Sequence, residues 1–378
     1  MLIYYWCPFL TKIATIKSVI NSISSFHKYN FLRKKIDIKI INSCGEWDEE
    51  LIGNNLDFIS LNKFNFYNIL PKKGLLSRLS LLIISALSLI PLLYIVKKNK
   101  PNFLVIHLLT ALPIFLSNFW GNRTKIILRI SGLPKLNFFR KILWKYLGNN
   151  ICLVTTPTTL TRDFLIKNNI FDEKKIKILR DPIINCKKIN LLKNEKINEN
   201  LISQNYYIAV GRLTNQKNFD FLINSFSKIN KNLKTKKLII LGDGEQKESL
   251  KRLIKINKME NSIYLLGYKK NAYKYIYNSQ ALISTSNYED PGFVLFESIY
   301  LNKIVISSIC DNGPRELYEL GKTGFFFKKN DFEDFKENIL NFENNNNFNL
   351  KLNSKKFCKN FTIFRHNLMF SRILGQFF

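Results

Sequence analysis

Short apolar runs alternate with longer helix-like segments along almost the whole chain, and this alternation constrains the fold more than any other feature. It is typical of repeated βα units around a mostly parallel sheet. The first series predicts strands near Leu2–Tyr5, Asp37–Ile41, Phe103–Ile106, Lys125–Ile130, Ile151–Val154 and Ile176–Leu179. The second predicts strands at Tyr206–Val210, Lys237–Leu241, Ser262–Leu265, Ala281–Thr285, Ile304–Ser307 and Gly324–Phe326. We therefore predict an α/β protein with two Rossmann-like domains.

The boundary between the two series is a polar segment rich in Lys and Asn, residues 187–205, which we interpret as a linker. The predicted domains are 1–188 and 189–355, and the tail 356–378 is expected to pack back onto the N-terminal domain. Asn344–Asn347 predicts a loop, and the amphipathic tail predicts a closing helix over Lys355–Leu374. The main other helices are expected over Ile13–Phe26, Leu75–Val96, Leu136–Leu147, Thr158–Lys167 and Gln246–Ile256.

Cysteine and histidine usage argues against a zinc site or a disulfide scaffold. The 378-residue chain has six scattered cysteines without Cys-x-x-Cys spacing, and only three histidines. This usage favours a reducing, cytoplasmic setting. The first residues show no basic stretch followed by an apolar core, so we expect no signal peptide.

The positive charge is unevenly distributed. The formal net charge is +30, and the 105 positions between Asp57 and Asp163 hold 15 Lys or Arg and no acid. Such a field favours an anionic partner, which can be a membrane surface, a lipid diphosphate or a nucleic acid. A general bias toward Lys and Asn is the alternative explanation, but it accounts poorly for the acid-free block.

The segment Leu79–Val96 raises the question of a membrane. It is 18 residues long, carries no charge and is bracketed by Arg78 and Lys97-Lys98, which is the lower limit for a transmembrane helix. Pro91 interrupts the run, and the βα series that follows must return to the same sheet. We therefore expect a buried or membrane-apposed helix rather than a spanning one, with the basic domain lying on an anionic leaflet.

Two carboxylates, Glu289 and Glu297, stand with seven residues between them in the segment Tyr288–Glu297. The first follows an apolar run that predicts a buried strand, so it is expected at the carboxyl end of a sheet, where open α/β folds bind ligands. The second is expected about one turn into the next helix. Carboxylates in this arrangement suit the hydroxyls of a sugar or ribose. Alone, the spacing also arises by chance in acidic helices.

A second pattern follows the strand Tyr206–Val210, where Gly211 precedes a basic loop and a helix. Arg212 and Lys217 place two cations beside the start of that helix. Cations, free amides and the helix dipole together suit a diphosphate, although a basic turn without function is the alternative. The segment is neither a dinucleotide fingerprint nor a P-loop.

Three further turns come at predicted strand ends. Gly242 follows one strand and allows close approach of the backbone to a ligand. Tyr268 ends another such segment, whose backbone can meet a planar base. Gly313 and Pro314 begin a helix and offer unpaired amides. Each of these turns taken alone indicates only a well-formed αβ connection.

The ordered set of motifs between Tyr206 and Phe327 resembles the family-4 retaining glycosyltransferases of the GT-B fold. The motifs are Gly-Arg-Leu-x-x-Gln-Lys-Asn, Leu-Gly-Asp-Gly, Glu-x7-Glu and Gly-Pro-Arg-Glu. The resemblance implies two Rossmann-like domains facing across a cleft, with a C-terminal helix closing back toward the N-terminal domain. It also implies a nucleotide-sugar site in the C-terminal domain and no requirement for a metal or other cofactor.

The resemblance further implies roles for individual residues. Arg212 and Lys217 would hold the diphosphate, Glu289 would contact hydroxyls of the transferred sugar, and Glu297 would contact the ribose. Amides near Gly292, Phe293 and Val294 and in the Gly313-Pro314 loop would assist the phosphates and the sugar.

The N-terminal half departs from the common family pattern. No glycine occurs in residues 6–13, where many members have a glycine-rich loop. Many members have a His-x-His sequence, and here His107 matches the first histidine while Leu109 replaces the second. A packed core histidine is the alternative interpretation of His107. Arg129 and Lys12 are weaker candidates for residues that face the ligand.

These observations predict a retaining, metal-independent hexosyltransferase that uses a nucleoside-diphosphate sugar. The expected acceptor is a surface glycan or a polyprenyl-linked sugar, as in polysaccharide or lipopolysaccharide biosynthesis, and no nucleic acid partner is expected. The expected location is cytoplasmic and peripheral, on the inner face of the plasma membrane. The alternatives are a non-catalytic anion-binding protein at the membrane surface, or another GT-B enzyme such as a phosphorylase or an epimerase. A lysine in a recognisable setting for pyridoxal phosphate, which a phosphorylase needs, is not found.

Overall fold

The structure is a computed structural model that describes residues 1–11, 14–72, 76–121, 123–134, 136–197, 205–230, 236–319, 323–344 and 348–378. The chain divides into two compact units, and each is described by itself. Unit 1 comprises Met1–Pro182 together with His366–Phe378, and unit 2 comprises Ile183–Arg365.

Unit 1 is built on a parallel sheet of seven strands in the order β3-β2-β1-β4-β5-β6-β7. The strands are β1 Leu2–Trp6, β2 Asp37–Asn42, β3 Phe58–Ser60, β4 Phe103–Ile106, β5 Lys125–Arg129, β6 Ile151–Thr156 and β7 Ile176–Ile178. The helices are α1 Ala14–Lys28, α2 Asp48–Asn54, α3 Leu76–Asn99, α4 Ala111–Leu116, α5 Phe138–Leu147 and α6 Thr159–Lys167. The order reverses between β1 and β4, which are direct neighbours.

Unit 2 is built on a parallel sheet of six strands in the order β10-β9-β8-β11-β12-β13. The strands are β8 Tyr206–Val210, β9 Lys237–Leu241, β10 Ile263–Leu265, β11 Ala281–Ser284, β12 Ile304–Ser308 and β13 Phe325–Phe327. The helices are α7 Cys186–Leu192, α8 Phe219–Asn230, α9 Lys247–Ile256, α10 Tyr273–Asn278, α11 Phe293–Tyr300, α12 Gly313–Glu319, α13 Phe332–Asn344 and α14 Phe348–Cys358. The order reverses between β8 and β11.

The central strands are buried on both faces, which explains why they read as continuous apolar runs rather than alternating ones. Every residue of β4, β11 and β12 is buried. Parallel strands covered by helices on both sides have this composition because neither face meets water. The two parallel sheets confirm the predicted fold class.

The tail forms two helices rather than the single one predicted over Lys355–Leu374. Helix α14 ends at Cys358, a single 3-10 turn follows, and α15 begins at Ile363 and ends at Gly375. Thr362 between them has an extended backbone, with ψ near 151°, and pairs with Ile184 in an isolated bridge. From His366 onward α15 belongs to unit 1, where Phe370, Ile373 and Leu374 are buried in its core.

Helix α3 is continuous through Pro91, which the sequence suggested would interrupt it. Its buried stripe is Ser80, Ile84, Ser88, Leu92 and Val96, spaced four residues apart as on one face of a helix. The other face is apolar and exposed, and only 28% of its most apolar window is buried, so the helix is not a buried core helix. The alternative expectation, a helix apposed to a membrane, stays a prediction. By length and composition α3 can cross a membrane, but those two criteria alone are weak evidence.

Short elements account for most of the remaining differences. Strand β3 and helices α2 and α4 were not predicted, because three to seven residues carry too little periodicity. Helix α7 occupies part of the expected linker 187–205 and belongs to unit 2. Within the expected linker, residues 198–204 lie outside the described residues, as do 345–347 of the expected asparagine loop.

Candidate active site

Two loops of unit 2 leave the sheet where its strand order reverses. The loop after β8 contains Gly211–Asn218, and the loop after β11 contains Thr285–Gly292. Strands β8 and β11 are neighbours, with Leu282 paired to Ile208. The carboxyl ends of parallel strands at such a reversal form the usual ligand-binding position of an open α/β sheet.

The two loops are joined by several hydrogen bonds. The Asn287 backbone N–H donates to the Gln216 carbonyl at 2.8 Å, and the Gln216 amide donates to the Tyr288 carbonyl at 3.0 Å. The Asn287 side chain donates to the Asn215 carbonyl at 2.7 Å, and the Thr285 hydroxyl contacts the Lys217 carbonyl at 3.0 Å. These bonds hold the two predicted motifs in one rigid surface.

A charged pair lies at the centre of this surface. Nζ of Lys217 is 2.5 Å from Oε1 of Glu289, and the two side chains are 15% and 5% exposed. The hydroxyl of Ser286 also donates to Oε1 of Glu289, at 2.7 Å. The structure therefore brings together Lys217, predicted to bind the diphosphate, and Glu289, predicted to bind the sugar. The two contacts hold the Glu289 carboxylate in one orientation.

Arg212 is exposed in the same loop as Lys217. Among the residues that the structure describes, its side chain has no hydrogen-bond or ion-pair partner. The N–H donors of its guanidinium are thus available for a ligand. An arginine fork matches phosphate oxygens in geometry.

Gly242 is required by the close approach of two loops. A Cβ at this position would lie 1.8 Å from the carbonyl oxygen of Gly211, and Gly242 has a φ of 149°. Gly211 in turn lies under the stem of Lys217, because a Cβ there would be 2.7 Å from Cε of that lysine. The two predicted glycines therefore shape the turn that carries the cations.

The N-terminus of α12 packs directly on the Glu289 loop. A Cβ on Gly313 would lie 1.6 Å from the Pro291 carbonyl oxygen, so only glycine fits. Glu289 and Asn312 form an isolated bridge, and the Asn312 amide donates to the Asp290 carboxylate. Gly313, which is buried together with Pro314, thus lies against the loop that carries Glu289. The predicted role of the amides in this turn stays a prediction.

Helix α11 begins with the half-buried Phe293 and Val294 after Gly292, which has a φ of 89°. Backbone N–H groups in the first turn of a helix lack intrahelical partners and can donate to an anion. Glu297 lies further along this helix and is 8% exposed, with the Tyr273 hydroxyl 3.1 Å from its Oε1. Its carboxylate already accepts a hydrogen bond from the protein, which the sequence did not predict.

Tyr268 follows β10 and is 75% exposed. The Gly267 carbonyl before it accepts a hydrogen bond of 2.9 Å from the N–H of Gly242, which ties this turn to the Gly242 turn. The tyrosine is therefore accessible on the surface of unit 2. Its predicted contact with a base stays a prediction.

The thiol of Cys310 lies near this site and is not a nucleophile. Burial and the neighbouring Glu289 carboxylate raise its pKa to about 12. In the described ranges, no group of three or more His, Cys, Asp or Glu side chains is placed to hold a metal ion.

The candidate residues of unit 1 are placed differently from the expectation. Arg129 is 4% exposed; it donates to the Leu179 carbonyl and forms a 2.7 Å ion pair with Asp181, so its guanidinium is not turned to a ligand. His107 is 5% exposed, and burial together with the charge of Arg129 lowers its pKa to about 3. It is a packed neutral histidine, stacked on Tyr5. Lys12 lies outside the described residues.

Several residues of the site were missed by sequence reasoning. Three of them are polar residues just after strands β11 and β12, namely Ser286, Asn287 and Asn312. The only feature of the sequence that could have identified them is their position after a predicted strand. Tyr273, the partner of Glu297, lies on a different helix. Nothing local in the sequence indicates that contact.

Residues 193–357 match the family model described as Glycosyl transferases group 1. An uncharacterized glycosyltransferase of Methanocaldococcus jannaschii is 31% identical over 244 residues, covering 60% of each chain. A Campylobacter jejuni N-acetylgalactosaminyltransferase, named for a diacetylbacillosaminyl-diphospho-undecaprenol acceptor, is 25% identical over 228 residues and 58% of each chain. The chain thus spans about three fifths of these relatives.

The fold has solved counterparts. The crystal structure of HepE from Anabaena, in complex with UDP and glucose, aligns over 100% of both chains with a TM-score of 0.74 and 15% identity. At that identity the likeness concerns the fold alone, and it confirms the expected GT-B architecture.

Proposed function

Because residues 193–357 belong to the group 1 glycosyl transferases, we propose that this protein transfers a sugar from a nucleoside-diphosphate sugar to a glycan or lipid-linked acceptor. The observation that carries the proposal is the shared surface of two loops in unit 2. There the exposed Arg212 lies in the same loop as Lys217, which is paired with Glu289 of the second loop. The surface offers cations for a diphosphate and a fixed carboxylate for sugar hydroxyls.

The nucleotide of the donor is proposed to be UDP. A protein of the same fold was solved with UDP and glucose, and it aligns with this chain over its full length. The exposed Tyr268 and the turn at Gly267 lie on the surface that carries Gly242 and can meet the base. UDP is therefore the first nucleotide to test.

The reaction is proposed to proceed with retention and without a metal. The bond from the anomeric carbon to the β-phosphate oxygen breaks, and a bond forms to the acceptor oxygen on the same face. The acceptor proton passes to the departing phosphate oxygen. Arg212, Lys217 and the first amides of α11 and α12 stabilise the charge that develops on the diphosphate, which is where an electrostatic catalyst acts.

Glu289 is proposed to orient the sugar rather than to attack it. Its Oε1 accepts hydrogen bonds from both Lys217 and Ser286. A carboxylate that is held in this way is a weak nucleophile and a good acceptor for the sugar's hydroxyls. The anomeric proton coupling of the product, measured by NMR, distinguishes retention from inversion.

The acceptor is proposed to be a sugar that is linked through a diphosphate to a lipid in an anionic membrane surface, so that a sugar hydroxyl supplies the acceptor oxygen and its proton. The Campylobacter relative is named for a diphospho-undecaprenol acceptor. Unit 1 presents the exposed apolar face of α3, which ends in Lys97 and Lys98. A cytoplasmic, peripheral location would give the protein access to such a lipid.

The test is the variant Arg212→Ala, with Arg252→Ala as control because Arg252 is an exposed arginine of α9 in the same unit. Losing charge-assisted contacts should weaken UDP binding by about 10- to 100-fold. Sugar transfer should fall at least as far, while the melting temperature without ligand stays unchanged. The control should bind UDP normally.

Nucleotide-dependent stabilisation separates the enzyme from a passive anion binder. UDP at about 100 times its Kd should stabilise the wild type by about 2.7 kcal/mol. Unchanged turnover in Arg212→Ala would remove that residue from the site. UDP binding without transfer or hydrolysis of any nucleotide sugar would contradict the proposed activity.

A further inference from the structure

Unit 1 contains a cavity of about 910 Å³ at the carboxyl ends of β1 and β4. These strands are neighbours, and the order of the seven-stranded sheet reverses between them. Ligands of open α/β sheets bind at this position, and the volume lies near the top of the usual range of about 300–1,000 Å³. None of the residues assigned above to the donor site lies in this unit.

The walls of the cavity are mainly apolar. They come from the loops after β1 and β4 and from helices α3 and α5. Central among them are Phe9, Leu81, Leu109, Ile142, Leu143 and Trp144. Among the described lining residues none is acidic, which agrees with the acid-free block between Asp57 and Asp163.

The loops after β1 and β4 are held in place by hydrogen bonds from aromatic side chains, so the cavity is preformed. Nε1 of Trp6 donates to the Leu109 carbonyl at 2.8 Å. Nε1 of Trp47 donates to the Cys7 carbonyl at 3.1 Å, and the Tyr67 hydroxyl donates to the Leu10 carbonyl at 3.0 Å. A preorganised apolar site binds a flexible chain with a smaller entropic cost than one that must first be ordered.

Two cations contribute to the lining. Nζ of Lys72 stands 3.8 Å from the centroid of the Tyr67 ring, and the Arg140 guanidinium lies 5.7 Å from the Trp144 ring. A smaller cavity of about 370 Å³ shares Lys72 and is also lined by four acidic residues, Glu46, Asp48, Glu49 and Glu50. An anionic group is therefore favoured on the Arg140 side, away from those carboxylates.

Exposed apolar side chains mark the opening of the cavity. Ile142 and Tyr146 line it and are 50% and 81% exposed. Ser77 and Leu81 belong to α3, whose other face presents exposed leucines and isoleucines. The apolar lining is thus continuous with the helix proposed above to meet the membrane.

We propose that this cavity binds the prenyl chain of a polyprenyl-diphosphate-linked sugar acceptor, with the diphosphate held on the Arg140 side. The inference rests on the proposed function and adds the part of the acceptor that unit 1 recognises. Apolar walls stabilise a hydrocarbon chain in proportion to the area that they remove from water. The Arg140 guanidinium pairs with the anionic diphosphate.

The experiment is calorimetric titration of the full chain with geranylgeranyl diphosphate below its micelle-forming concentration. With the donor site of unit 2 saturated by UDP, we expect saturable binding, at least tenfold weaker binding of geranylgeraniol, and no detectable heat from inorganic diphosphate. Tryptophan fluorescence should change on binding and should lose that change in Trp144→Phe, since Trp144 lines the cavity.

Two variants locate the binding. Ile142→Glu places a carboxylate at the opening and should weaken geranylgeranyl diphosphate binding by at least tenfold. Ile52→Glu, at an isoleucine of α2 that is 86% exposed and does not line the cavity, should leave it unchanged. Urea unfolding followed by tryptophan fluorescence shows that unit 1 of each variant is folded, because all four tryptophans lie in that unit.

Failure of this inference is distinguishable from failure of the proposed function. Normal UDP binding and sugar transfer without prenyl diphosphate binding overturns only the cavity assignment. Equal weakening by Ile142→Glu and Ile52→Glu also overturns it. Binding to vesicles of diacyl phosphatidic acid but not to geranylgeranyl diphosphate assigns this face to general membrane contact and overturns it as well.

Discussion

Lys217 and Glu289 are 72 positions apart in the chain, yet their side chains meet at 2.5 Å. The pair joins the loops of two neighbouring strands at the point where the sheet order of unit 2 reverses. The pair also distinguishes two cations, Arg212 and Lys217, that look equivalent in the sequence. Lys217 forms an ion pair with a carboxylate of the protein, whereas the Arg212 side chain has no hydrogen-bond or ion-pair partner among the described residues.

Removing the lysine should destabilise unit 2. Lys217→Ala leaves the Glu289 carboxylate buried without its cation, and breaking a buried pair costs about 3 kcal/mol. Calorimetric unfolding should show a lower melting temperature. The matched control Glu289→Gln removes the charge but keeps the shape, so it should destabilise less.

Combining the two changes tests the pairing directly. Lys217→Met with Glu289→Gln should be more stable than Lys217→Ala, because no unpaired charge remains. Additive effects of the single changes would show that the pair is not formed. The Glu289→Gln variant should bind UDP within a few fold of wild type while losing most sugar transfer.

The contact of α12 with the Glu289 loop predicts that Gly313→Ala is strongly destabilising. The new Cβ would overlap the Pro291 carbonyl, and such overpacking costs about 1–3 kcal/mol or more. UDP binding should weaken along with stability, because the loop must move. Gly53→Ala in α2 is the control, since nothing lies within 4 Å of its added Cβ. A Gly313→Ala protein as stable as the Gly53→Ala protein would contradict the contact.

The buried His107 should make unit 1 sensitive to acid. Its pKa is lowered to about 3, whereas the unfolded value is 6.5, so the unfolded state takes up a proton first and stability falls as pH drops below 6.5. At pH 5.5 the loss from this residue is about 1.4 kcal/mol. The buried His366, whose pKa is lowered to about 4, adds a similar loss.

Urea unfolding followed by tryptophan fluorescence measures this effect selectively, because Trp6, Trp47, Trp120 and Trp144 all lie in unit 1. His107→Leu should lose about 1.4 kcal/mol less stability than wild type between pH 7 and 5.5. An unchanged pH dependence in that variant would show that His107 titrates normally.

The exposed face of α3 predicts binding to anionic vesicles. Leu82 and Ile90 are 66% and 73% exposed, and burying each side chain contributes about 1.5–3 kcal/mol. The double variant Leu82→Glu with Ile90→Glu should therefore reduce binding to phosphatidylglycerol vesicles at least tenfold in a sedimentation assay. Ile52→Glu with Ile69→Glu, at residues outside α3, is the control. Equal losses in both double variants would argue against α3 as the contact.

Metal independence is checked by chelation. Sugar transfer measured after dialysis against EDTA should equal that of untreated protein, because cations of the chain are proposed to neutralise the diphosphate. Loss of activity that returns only with Mg²⁺ or Mn²⁺ would assign part of that task to a metal.

The fold was predictable because buried parallel strands have a strong local signal. Strands such as Tyr206–Val210 and Phe103–Ile106 were predicted to the residue, since both faces are apolar. Thr362, which separates the two tail helices, was not predicted, because its extended conformation follows from pairing with Ile184. Such a contact depends on distant residues and leaves no periodic trace.

The candidate site was predictable in its positions but not in its pairings. The motifs placed Gly211, Lys217 and Glu289 at strand ends, where they are found. The sequence could not show that Lys217 is engaged by Glu289, or that Arg129 is engaged by Asp181. A cation's availability depends on what lies near it in space.

Helix α15 gives unit 1 a dependence on the order of synthesis. Phe370, Ile373 and Leu374 complete a core whose other buried members were made more than 180 residues earlier. During translation the apolar surface of the unit 1 sheet that α15 covers stays exposed until α15 has been made. Unit 2 can therefore fold before unit 1 is complete. A nascent chain stalled before His366 should therefore engage chaperones through its N-terminal half.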